Sequence, residues 1–165
     1  MRLTAQIICD ILKYGMELRP EQIWIYNQRH SIPEDKQLYV IVGMSSPKVY
    51  GNNNVSVGVT GGMYDVASQY VSETIQIDLM SYTMEAQERY YEVLGSLVST
   101  YSLEYQMNYG LKIASIPTSV NDVSGIDGAT MLNRIVITLQ VWRKYDTIIS
   151  AAYYDTFSDV AVETQ

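Results

Sequence analysis

The sequence predicts an α+β domain: a mainly antiparallel sheet of five or six strands with two main helices packed on one face. Two segments repeat apolar residues at helical spacing, residues 3–14 and residues 83–101. Several other stretches alternate apolar and polar residues, or run apolar, over strand lengths between Gly, Pro and Asn turns. At 165 residues, 47% of them hydrophobic, the chain holds one domain with a real core and is too short for two comfortable ones. Helices gathered on one face of such a sheet bury both apolar surfaces at once. The expected domain spans residues 1–157, with an acidic tail at 158–165.

In the first helix Leu3, Ile7, Ile8, Ile11 and Leu12 share a face, with Gln6, Asp10 and Lys13 opposite. Gly15 is the expected C-terminal cap and Pro20 blocks continuation. Residues 21–28 read as a strand, residues 29–36 as a polar connection, and residues 37–44 as a central strand apolar on both faces. Residues 54–60 alternate with Val55, Val57 and Val59 on one side. Together with 37–44 they suggest a hairpin whose tip lies near residues 51–53, where the Asn run favours turns. Gly61 and Gly62 close that segment. Within residues 66–81, Val71, Ile75, Ile77 and Leu79 point one way. Thr83 then suits a helix N-cap, with Glu85 and Glu88 near the positive end of the dipole. The buried stripe reads Ala86, Tyr90, Val93, Leu94, Leu97 and Tyr101, and a short second helix over 102–108 ends at Gly110. Residues 111–116 form a strand closed by Pro117. The long loop 117–129 follows, then the longest strand, 132–144, which would reach about 40 Å at ~3.3 Å per residue.

Composition narrows the function. One cysteine, Cys9, precludes an internal disulfide framework and reads as a buried, inert thiol. The N-terminal residues lack the unbroken apolar run and cleavage site of a signal peptide. No stretch approaches the roughly 18 apolar residues of a membrane helix. A formal charge of −7 opposes a grip on nucleic acid, yet an acidic wall lets DNA slide past without sticking. Fifteen tyrosines against one phenylalanine, Phe157, favour surfaces that become interfaces.

No constellation points to catalysis. His30 is the only histidine and lies in a polar segment. Neither a zinc site nor a Ser–His–Asp triad is assembled around it. The glycines at 58–62 lack the order of a phosphate-binding loop. Asn121, Asp122 and Asp127 lack the full ligand ladder and terminal Glu of a calcium loop. Glu85, Glu88 and Glu92 read as a solvated helix face. No catalytic residue, metal site or cofactor is expected.

The loop after Ile116 therefore points to contact with other protein, since long ordered loops are usually retained for binding. Expected contact residues are Tyr50, Asn52, Asn53 and Asn54 at the hairpin tip, and Ser119, Asn121, Asp122 and Asp127 in the loop. Tyr153, Tyr154 and Phe157 near the C-terminus complete the set, packing onto this subunit or onto a neighbour.

Several phrases together resemble one family. They are EQIWIYNQ at 21–28, IPEDKQLYVIVG at 32–43, YGNNN at 50–54, IQIDLMSY at 75–82, IPTSVNDVSGIDGATMLNR at 116–134 and YYDTF at 153–157. In order and spacing they resemble the neck or tail terminator proteins of contractile-tailed bacteriophages and related prophages. The resemblance spans residues 21–157. It implies a structural virion subunit, assembled in the host cytoplasm, that forms a ring, typically six-fold, at the end of the tail tube. Its implied partners are sister subunits, the tail tube and sheath, and the head-side connector, with DNA passing through the channel unbound and no membrane involved. The family supplies no catalytic residues. Alternatives are another head–tail joining or tail-completion subunit, and a small ligand-binding module with Trp24, Trp142 and tyrosines lining a pocket.

Overall fold

The computed structural model describes residues 2–26, 32–45, 47–59, 62–125 and 132–150. In chain order the elements are α1 (Thr4–Gly15), a 3₁₀ turn (Pro20–Gln22), β1 (Ile23–Ile25), β2 (Tyr39–Met44), β3 (Lys48–Val59) and β4 (Gly62–Ser81). Then come α2 (Glu85–Val98), α3 (Thr100–Tyr109), β5 (Leu111–Ile113), β6 (Ser119–Asp122) and β7 (Asn133–Ser150). The α+β class holds, with seven described strands in one sheet and three helices.

The sheet is a long ribbon. β4 and β7 pair antiparallel without interruption from Tyr64↔Ser150 to Ser81↔Asn133. β2 and β3 lie end to end along the other side of β4, β2 against residues 75–80 and β3 against residues 62–72. Pro47, which has no N–H to donate, sits in the break between them. β5 and β6 line the outer side of β7, and β1 adds to β2 as the one parallel pair. A straight strand of β4's 20 residues would measure about 66 Å.

The helices cover one face of one half of this ribbon. Ile75, Ile77 and Leu79 of β4 and Ile135, Ile137, Leu139 and Val141 of β7 point into the core. There they meet Ile7, Ile8, Ile11 and Leu12 of α1 and Ala86, Val93 and Leu97 of α2. α2 ends at Ser99, whose extended backbone breaks the helix and whose hydroxyl accepts the Ser102 amide to start α3. Tyr101 therefore belongs to α3 rather than to the α2 stripe, and Tyr90 lies at its exposed edge. Gly110 ends α3 at φ 62°, as its position in the sequence suggests.

Further expectations need correction. The longest described strand is β4, with 20 residues, rather than the strand expected at 132–144, which extends as β7 to Ser150 with 18. The expected strand over 21–28 is β1 alone among the described residues, preceded by the 3₁₀ turn that Pro20 opens. The hairpin joins β3 to β4 rather than β2 to β3: Asn52, Asn53 and Asn54 pair with Gln69, Ser68 and Ala67, so the reversal falls between Val59 and Gly62. The supposed loop 117–129 contains β6, whose residues pair with 135–138 of β7. At the α2 start the N-cap position is Met84, although the Thr83 hydroxyl does accept the Glu85 amide at 3.4 Å.

The α1 terminus corrects Gly15. It is the last helical residue, and the left-handed position two residues on is Glu17 at φ 54°. The Leu18 amide bonds to the Lys13 carbonyl at 3.0 Å and the Glu17 amide to the Tyr14 carbonyl at 3.4 Å, closing a Schellman motif. Gly15 is needed for a different reason: a Cβ there would lie 2.3 Å from Ser96 Oγ of α2. The two glycine exchanges should have opposite signs. Gly15→Ala should cost about 1–3 kcal/mol by forcing α1 from α2. Glu17→Gly should stabilise by up to about 1 kcal/mol by relieving the left-handed residue. Urea unfolding of the two variants measures both, and equal signs would contradict this packing.

Candidate functional site

Beyond the helices the ribbon continues as a three-stranded arm: β3, residues 62–72 of β4 and residues 142–150 of β7. In the body the apolar face is the one under the helices, and Thr74, Gln76, Thr138 and Gln140 line the other. Toward the hairpin end of the arm an apolar cluster lies on the other face, beyond Ser68, Lys144 and Asp146. Val55, Val66 and Ile148 lie in register across the three strands, with Val57 and Tyr64 beside them, all on the face away from the helical layer. Ile148 is 70% exposed, Val55 47%, Val57 42% and Tyr64 41%. The opposite face of the arm carries Asn52, Asn54, Ser56, Gln69 and Thr147, with Val49, Ala67, Val71 and Ile149 as its apolar residues. A strand places alternate residues on alternate faces, so the change of side is written in the residue parity of the strands themselves.

A buried polar cluster marks the crossover. Glu73 and Arg143 are 3% and 4% exposed and share the helical face. Tyr145 lies between them: its hydroxyl donates to Glu73 Oε1 at 2.8 Å, and its ring stands 5.0 Å from the Arg143 guanidinium. Burial, and then the bond to Glu73, raise the Tyr145 phenol above its ordinary pKa. Arg143 donates to the Arg2 carbonyl at 2.9 Å and to Thr4 Oγ1 at 3.2 Å, which ties the start of α1 to the ribbon. Glu73 Oε2 and Arg143 Nε have no hydrogen-bond partner among the described residues. On the other face Asp146 accepts from Ser68 and Lys144, which hold its carboxyl below the usual range.

The sequence-expected residues fall in three places. Tyr50 occupies the bulge between Val49 and Gly51, its ring 6.2 Å from that of Tyr70. Asn52 and Asn54 point to the polar face of the arm and Asn53 to the apolar one, so the four form part of the arm rather than its tip. Ser119 and Asn121 lie along β6, in the body. Asp122 is engaged within the chain: it accepts the Ser124 amide and hydroxyl, and Gln87 of α2 reaches it at 3.5 Å. The Ser124 bonds lower its pKa. Asp127, Tyr153, Tyr154 and Phe157 lie outside the described residues, as do His30 and the tail at 158–165. Sequence reasoning missed Tyr64, Val66 and Ile148. The signal was the parity switch from Ile75, Ile77 and Leu79 to Tyr64 and Val66 within one strand.

Part of the tyrosine excess is internal. Tyr14 stacks on Tyr101 at 3.9 Å, and Tyr105 and Tyr109 continue the row along α3 to Arg2. Tyr14, Tyr101 and Tyr105 of this row border an open groove of about 950 Å³ with Asp10 and Lys13. Trp24 stacks on Tyr39 at 5.2 Å and borders a second groove with Cys9, whose walls do not include Trp142. Among the described residues no three His, Cys, Asp or Glu side chains are grouped to hold a metal ion. None of the described helices is long and apolar enough to cross a membrane. Cys9 is half-buried, and burial, then Asp10, push its pKa up to about 12.

Tyr145→Phe keeps the ring beneath Arg143 and removes the hydroxyl that donates to Glu73 and also bonds Thr4. It should destabilise the fold by about 1–3 kcal/mol in urea unfolding, the cost of leaving a buried acceptor without its donor. An unchanged midpoint would contradict the cluster. Iodoacetamide should modify Cys9 of the folded chain at pH 8 at least about tenfold more slowly than the unfolded chain, since burial keeps the thiol protonated. A native rate within tenfold of the unfolded one would contradict its protection.

In comparisons with known proteins, no family model and no curated protein matches this chain.

Proposed function

We propose that this protein is a structural subunit of a phage neck. As a tail terminator it forms a ring, six-fold in the simplest case, that caps the tail tube, joins the tail to the head-side connector and leaves a channel for DNA. The neck assignment rests on the ordered phrases between residues 21 and 157. The ring reading is carried by one observation: the arm holds an exposed apolar face on the side its own helices do not cover. Such a surface on a soluble chain marks a place for other protein. A ring of identical subunits meets that need through a repeated heterologous contact that closes on itself. The charge of −7 suits a passage that repels phosphate.

Purified full-length protein should assemble as its concentration rises. Light scattering should give the mass of one closed multimer, and negative-stain images should show rings with a central hole. A monomer mass across the whole accessible concentration range contradicts the proposal. So does a dimer that grows no further.

A further inference from the structure

We propose that the arms join neighbouring copies head to tail, the free edge of β3 in one copy pairing with the outer edge of residues 144–150 of β7 in the next. This rests on the ring reading above and names the surface that makes the ring. β3 pairs only with β4, so its other edge has no partner among the described residues. The outer side of β7 is occupied by β6 and by β5, whose pairing stops at Leu111↔Arg143. Residues 144–150 therefore have a second edge without a partner among the described residues, on the opposite side of the same arm.

Soluble proteins guard open edges with charge, proline, bulges or a covering element. The body does so: β1 covers β2 and is preceded by Pro20 and Glu21, while β5 carries Lys112. Among the described residues, the end of the arm beyond Asp146 lacks such guards. From Val49 to the end of β3 there is no charged residue and no proline, and the one bulge lies at the body end. In β7, Lys144 pairs with Asp146 at 3.0 Å, and residues 147–150 carry no charge. Two uncharged edge segments, residues 54–57 of β3 and 147–150 of β7, lie at the same level of one ribbon and are suited to each other.

Two-fold pairing of β3 with β3 would leave both β7 edges open. Head-to-tail pairing consumes both kinds of edge and closes only as a ring. β3 and β7 each run antiparallel to β4, so they run in the same direction, and subunits sharing one orientation would pair them in parallel. The joined arms would then form one continuous sheet. One side would carry Val55, Val57, Tyr64, Val66 and Ile148 beside Ser68, Lys144 and Asp146, and the other Asn52, Asn54, Ser56, Gln69 and Thr147.

Disulfide trapping tests this in the full-length chain with Cys9→Ser. Asn54 and Thr147 both flank Ala67 on the polar face. Within one copy they are two strand spacings apart, about 10 Å, too far for a disulfide. The double variant N54C/T147C, scanned alongside N52C and S56C to allow for register, should give a reducible ladder ending at the closed multimer. Each single variant should stay uncross-linked. Dimers from N54C alone would show two-fold pairing and overturn the inference. Rings seen in solution with no combination trapped would overturn edge pairing while the ring reading stands. Monomers alone by light scattering, with native circular dichroism, would remove the ring reading and the inference with it.

Discussion

The structure depends on the unbroken pairing of β4 with β7. All 18 residues of β7 have partners on β4, and every other strand but β1 attaches directly to one of these two. A slip of one residue would move Ile75, Ile77, Leu79 and their partners off the helical face all at once. Register is held by the body, where those residues lock under α1 and α2. It is held again at the crossover, where Tyr145 joins Glu73 to the guanidinium that ties down α1.

Because the ribbon is longer than the helices that cover it, its two halves obey different rules. The body satisfies its apolar face internally. The arm has the same backbone pairing, but toward its hairpin end apolar residues gather on the other side. A continuous strand therefore presents two apolar surfaces, one packed under the helices and one exposed, with Glu73 and Arg143 buried between them. Desolvated charges are costly, and breaking such a cluster is more damaging than replacing it. In this protein the cluster separates the two apolar faces, so that neither spreads along the whole ribbon.

Much of the body was legible in the sequence. The α1 stripe, the α2 stripe through Leu97, the core side of β4 and the left-handed Gly110 all follow from local periodicity and cap chemistry. The strand partners did not. Asn52, Asn53 and Asn54 favour turns locally, yet pairing with β4 holds them in a strand. Ser119 to Asp122 carries only one apolar residue, Val120, and becomes a strand because β7 offers an edge. Gly15 resembles a cap, and only the approach of Ser96 from another helix reveals its role. The Asn run lies within the arm rather than at a turn. Tyr64 and Ile148 were missed because a parity change is visible only when a strand's full length is known.

The most direct measurement is hydrogen exchange of the full-length protein, read at β3 and at residues 144–150 of β7 across a dilution series. If the arm is an assembly surface, the body strands stay protected at every concentration. The outward-facing arm amides then exchange rapidly when dilute and slow markedly as the protein assembles. Arm amides that exchange at one rate across the series, while the mass of the particles rises, would contradict the account, because the copies would then be joined elsewhere.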